Sequence, residues 1–100
     1  MIENDFEAAM RNIYTRAASE TSYRPTYLLR LISERGGVGA AHHLLTGPIS
    51  PGFASLAELG RLDLSVEQLV LDPRWNALFE DGERAIARKR LGLPRSTAKS

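Results

Sequence analysis

From residue 25 onward, proline and glycine recur so regularly along this chain that mostly short elements are expected. Pro25, Gly36-Gly37, Gly47-Pro48, Pro51-Gly52, Gly60, Pro73 and Gly92 cut it into short pieces. Within the pieces, apolar residues recur at spacings of three and four, the period of a helix with one buried face. Phe6, Ala9, Met10, Ile13, Tyr14 and Ala17 make the clearest stripe. Glu7 and Arg11 stand opposite it in the favourable i,i+4 order, and Ser19–Arg24 closes this first helix. No stretch alternates β-branched or aromatic residues with polar ones for five positions, and no hairpin dipeptide occurs. The expected fold is all-α, a compact single domain of six or seven mostly short helices over residues 1–93. Residues 94–100 are expected to be a flexible basic tail.

The punctuation predicts the remaining helices. Pro25 at a first helical position opens the second, with Tyr27, Leu28, Leu31 and Ile32 inward, and Gly36-Gly37 ends it. Val38, Ala41, Leu44 and Leu45 form a third, stopped by Gly47-Pro48, and TGPISPG reads as a loop. Ser55…Glu58 and Ser65…Gln68 both fit the capping box, in which a hydroxyl and a side chain three residues on satisfy amides reciprocally. Asp72-Pro73 announces a helix bearing Trp75, Leu78 and Phe79. Asp81 is the expected cap of the last helix, with Ala85, Ile86 and Leu91 inward. Leu62 and Leu64 flank Asp63 in an extended link, where Arg61 and Asp63 are placed to pair or to hold neighbouring helix ends.

With 100 residues there is room for one core. The chain has no cysteine, which removes disulfides, thiolate metal sites and cysteine nucleophiles. The first ten residues hold three carboxylates and no cation, unlike a signal peptide, and no apolar run is long enough to cross a bilayer. The expected location is cytoplasmic, with no membrane partner. The net charge of +1 hides an asymmetry. From Arg84 onward six cations meet no anion, so residues 1–83 carry a net −5.

Chemistry is poorly represented. His42 and His43 are adjacent, about 100° apart on a helix, and cannot share a metal ion, and no carboxylate lies within four residues. All twelve carboxylates fall on polar faces, caps or first turns. No nucleophile elbow is present, and Gly36–Gly39 follows a helix without the lysine of a phosphate loop. A helix-turn-helix reading of Tyr27–Arg35 and Val38–Leu45 would put Gly39, Ala40 and Ala41 against the bases, with no Arg, Lys, Asn or Gln to read them. No catalytic, cofactor or metal residue is therefore assigned, and no cofactor is expected.

The segments YLLRLISERGGVGAAHHLL, GRLDLSVEQLVL, W-x-x-LF and A-x-x-R-L together resemble a family of small bacterial all-α proteins over about residues 6–91. The resemblance implies a stand-alone bacterial helical domain. It brings no activity, ligand or catalytic residue.

The function expected from the residues is that of a non-enzymatic protein-interaction module. Phe53, Trp75 and Phe79 would dock the partner protein, and Arg84, Arg88, Lys89 and Arg90 would assist electrostatically. The alternative is an accessory nucleic-acid binder using the same cations to neutralise phosphates. A small hydrolase comes third, and would need a pocket that joins His42 or His43 to a carboxylate.

Overall fold

The first helix, α1 (Ile2–Glu20), buries the stripe its spacing predicts: Phe6, Met10, Ile13 and Ala17. The computed structural model describes residues 2–93, and every regular element in it is helical. The remaining α-helices are α2 (Thr26–Thr46), α3 (Pro51–Glu58), α4 (Val66–Val70) and α5 (Asp81–Leu91). Two 3₁₀ segments, Leu62–Leu64 and Pro73–Leu78, link α3 to α4 and α4 to α5. The predicted tail, with Arg95 and Lys99, lies outside the described residues.

The two helices expected on either side of Gly36-Gly37 are the arms of one kinked element, α2. Gly36 breaks the helical path with φ 75° and ψ 168°, a left-handed φ that glycine adopts without steric penalty. The chain then resumes helix at once, with no intervening turn. Glu7 of α1 makes this possible, because its Oε1 accepts the Gly37 N–H at 2.9 Å and caps the second arm. The two helices approach so closely there that a Cβ on Gly37 would lie 2.6 Å from the Glu7 Cα. Ala40 and Ala41, the small residues at the head of the supposed recognition helix, are fully buried. The second arm packs these two residues into the core.

Several boundaries move from their expected positions for identifiable reasons. Helix α3 begins earlier than the Ser55 signal suggests: Ser50 Oγ accepts the Phe53 N–H at 3.1 Å, and Pro51 fills the first helical position. Ser55 and Glu58 therefore sit inside α3 and form no capping box. Ser65 does cap α4, accepting the Gln68 N–H at 3.1 Å. Leu62–Leu64 coils into 3₁₀ turn instead of an extended link. Asp72 caps its element as expected, accepting the Arg74 N–H at 3.0 Å, but the product is 3₁₀. Glu80, not Asp81, caps α5, and its N–H is received by Glu83 Oε1 at 3.0 Å in a capping box. Ala87 points inward in α5, and Ala85, expected inside, is exposed. Tyr27, expected inside, is 43% exposed.

The main core joins α1 and both arms of α2 to α4, α5 and the second 3₁₀ segment. Phe6 is its centre, with edge-on contacts to Trp75 (5.3 Å between centroids, 79°) and Phe79 (5.2 Å, 61°). A smaller cluster of Ala17, Leu56 and Leu64 seats α3 and the first 3₁₀ segment on the far end of α1. Above it, Arg16, Glu20, Arg61 and Asp63 form an exposed ion network. Arg61 bridges Asp63 at 3.0 Å and Glu20 at 2.6 Å, joining helix ends as its position suggested.

Candidate functional site

The aromatics expected to dock a partner are interior residues. Trp75, Phe79 and Phe53 are 1%, 4% and 8% exposed. Trp75 and Phe79 belong to the main core. Phe53, which its Gly- and Pro-rich surroundings marked as exposed, is carried inside once Ser50-Pro51 starts α3 ahead of it. These three rings form no surface patch.

The cations divide in two. Arg84 turns back on its own neighbourhood, donating to the carbonyls of Asn76 (3.1 Å) and Phe79 and pairing with Asp81. Arg90 is more deeply committed. Its Nη1 donates to the Leu44 carbonyl and to Glu67 Oε2, each at 3.0 Å, and its Nη2 reaches the carbonyls of Leu45 and Gly47. Arg90 thus closes the carbonyl end of α2 from α5, a cap supplied by another helix. Arg88 is half-buried and Lys89 exposed, and neither is engaged in an ion pair among the described residues. The four cations do not form one ridge open to a polyanion.

His42 acquires the carboxylate that its sequence neighbourhood lacks. Helix α5 brings Glu83 across 41 positions so that its Oε2 meets His42 Nδ1, while its Oε1 keeps the α5 cap. The His42 ring also lies 5.1 Å from Phe79, and a shallow hollow beside it is lined by Leu78, Phe79 and Glu80. One condition for a hydrolase is met. The nearby Thr46 hydroxyl donates to the His42 backbone carbonyl at 2.8 Å. The pair ties the second arm of α2 to the start of α5. Among the described residues no three potential ligands gather into a metal site.

A well-formed apolar recess among the described residues was not visible in the sequence. It is a cleft of about 150 Å³ between the N-terminal arm of α2, α3 and the α1 and α4 faces behind them. Leu28, Leu56, Leu64 and Val66 form its walls, and all are buried. Tyr27 and Pro51, both exposed, stand at its mouth. Tyr23 crosses the entrance, its hydroxyl so close to Gly52 that a Cβ there would lie 2.7 Å away. Partial burial raises the Tyr23 hydroxyl above the ordinary tyrosine value. At the inner end lies Glu67, a residue 4% exposed where a helix-surface carboxylate was expected. Its only signal in the sequence was Arg90, too distant to be read as a partner.

On the opposite side of α1, the ion network perturbs its own members. Hydrogen bonds from Arg16 and then Arg61 hold the Glu20 carboxyl below the usual range, and Arg61 does the same to Asp63. Among the described residues no helix is long and apolar enough to cross a membrane. Compared with family models, curated proteins and solved structures, the chain finds no match in any of the three.

Proposed function

We propose that this protein is a non-enzymatic docking module that receives one apolar side chain of a partner protein in the cleft beside Tyr27. The observation that carries the reading is the cleft itself: apolar walls, an exposed aromatic at the mouth, and a size suited to a single anchor. Interfaces concentrate their binding energy in such pockets, where a partner's anchor is fully desolvated. Burying one large apolar side chain contributes about 1.5–3 kcal/mol, so a short segment would bind weakly and reversibly. Arg30, whose guanidinium lies 5.4 Å from the Tyr27 ring centroid, holds that ring at the rim.

The nucleic-acid alternative draws on Arg88 and Lys89, since Arg84 and Arg90 are committed to carbonyls and carboxylates within the fold. Two phosphate contacts would leave a shallow salt dependence, with a slope of roughly −2 in log affinity against log salt.

The test is selection from a displayed library of random peptides, followed by titration of the enriched sequences into the full chain. Enriched peptides should share one bulky apolar residue, and Tyr27→Ala and Leu44→Glu should each weaken them at least about tenfold. Enrichment of no sequence, or binding indifferent to both substitutions, would overturn the reading. Tight binding of a labelled duplex that collapses in Arg88→Ala/Lys89→Ala would promote the alternative.

A further inference from the structure

The inner end of the cleft carries a charged acceptor that an aliphatic anchor would leave stripped of water. Glu67 lines the cleft, and its side chain is 5% exposed. Oε2 is taken by Arg90 at 3.0 Å, whereas Oε1 has no hydrogen-bond partner among the described residues. Oε1 nevertheless keeps a solvent path, because Trp75 Nε1 is the one fully enclosed side-chain polar atom without a partner among them.

Resting on the docking reading above, we infer that the anchor is a phenol ring, the side chain of a partner's tyrosine, with its hydroxyl donating to Glu67 Oε1. A recess of about 150 Å³ has room for a single six-membered ring, since a cavity of that volume admits benzene. Leu28, Leu56 and Leu64 supply the apolar walls that such a ring needs. An O–H donor meeting a carboxylate oxygen forms a short, strong hydrogen bond. An ammonium group is the wrong donor: Arg90 already balances the Glu67 charge, and the apolar walls would return none of the cation's lost hydration. A phenylalanine or leucine anchor fills the same space and buries Oε1 unpaired, so the site discriminates by penalising the isostere.

Phenol and toluene, matched in size, are titrated separately into the full chain while the methyl signals of Leu28, Leu44 and Leu56 are followed by NMR. Phenol should shift these methyls and bind at least about tenfold more tightly than toluene, despite toluene's greater hydrophobicity. In Glu67→Leu/Arg90→Met, which exchanges the ion pair for apolar groups, the preference should vanish or reverse. If that variant does not fold, the wild-type ratio decides alone. Equal affinities, or tighter toluene binding in the wild type, would overturn the phenol assignment and leave the docking reading intact. Failure of both ligands to move the cleft methyls would overturn the two together.

Discussion

Arg90→Ala strands the Glu67 carboxylate in the interior. The two side chains are 10% and 5% exposed, and Nη1 of Arg90 lies 3.0 Å from both Glu67 Oε2 and the Leu44 carbonyl. Removing one member of a buried pair costs about 3–5 kcal/mol, because the other charge stays buried without compensation. A last-turn cation that merely offsets its own helix dipole contributes about 0.3–1 kcal/mol. The two accounts of Arg90 therefore differ severalfold, and a domain whose whole stability is about 5–15 kcal/mol registers the difference. Glu67→Leu/Arg90→Met removes both charges together and should recover the part of the loss that comes from the stranded charge. What it cannot recover is the cap on α2, worth about 1 kcal/mol for each carbonyl bond lost. Urea unfolding followed through Trp75, the single tryptophan and 1% exposed, gives the comparison directly. With a slope of about 1–3 kcal/mol per molar, the Arg90→Ala midpoint should fall by at least about 1 M. A loss below about 1 kcal/mol, or a double variant no more stable than Arg90→Ala, would refute the reasoning.

Gly37→Ala should destabilise by about 1–3 kcal/mol, since its Cβ would lie 2.6 Å from the Glu7 Cα and only backbone movement can relieve the clash; a neutral thermal melt would contradict this close approach. Gly52→Ala meets only the far end of Tyr23, so stability should change by less than about 1 kcal/mol while the ring swings at the cleft mouth. Unchanged Tyr23 ring signals in NMR would contradict that account. The Glu20 and Asp63 carboxyls are held low by Arg16 and Arg61, so the folded state binds fewer protons than the unfolded chain. Their stabilisation is present above the ordinary carboxylate value of about 4 and is lost as pH falls through the lowered values. Acid melts should therefore show wild type losing more than Arg61→Gln, with the difference erased near 1 M salt; a difference indifferent to salt would argue against an exposed network.

The interior of the first helix and the break at Gly36 were legible because each depends on local pattern. Phe6, Met10, Ile13 and Ala17 keep their spacing whatever packs on them, and a Gly-Gly pair interrupts a helix in any context. Cap positions were less secure, since a hydroxyl caps only if no better start lies upstream. Ser50-Pro51 pre-empted Ser55, and Glu80 pre-empted Asp81 by one residue. Phe53 moved to the interior for the same reason. The His42–Glu83 and Glu67–Arg90 pairs span 41 and 23 positions, and no local spacing encodes them. The cleft is an effect of five elements meeting, so none of its walls announced it.

The cations of α5 bear on a general property of short helices. Every helix leaves carbonyls without intrahelical partners at its last turn, and a chain cut into many helices multiplies those ends. Glycine closes one of them, at Gly92, where φ is 75°. Others need donors from elsewhere, and a guanidinium can serve several at once. Arg84 serves Asn76 and Phe79, and Arg90 serves Leu44, Leu45 and Gly47. Arg84 and Arg90 are thus accounted for by the carbonyl ends around them, whereas Arg88 and Lys89 are not. Glu67 follows from the same arrangement, for the carboxylate that balances Arg90 must lie beside it, inside the molecule. The backbone's need for a cap on α2 thereby carries an acceptor to the inner end of an apolar cleft. A structural demand of α2 and the chemistry proposed for the cleft meet in one ion pair.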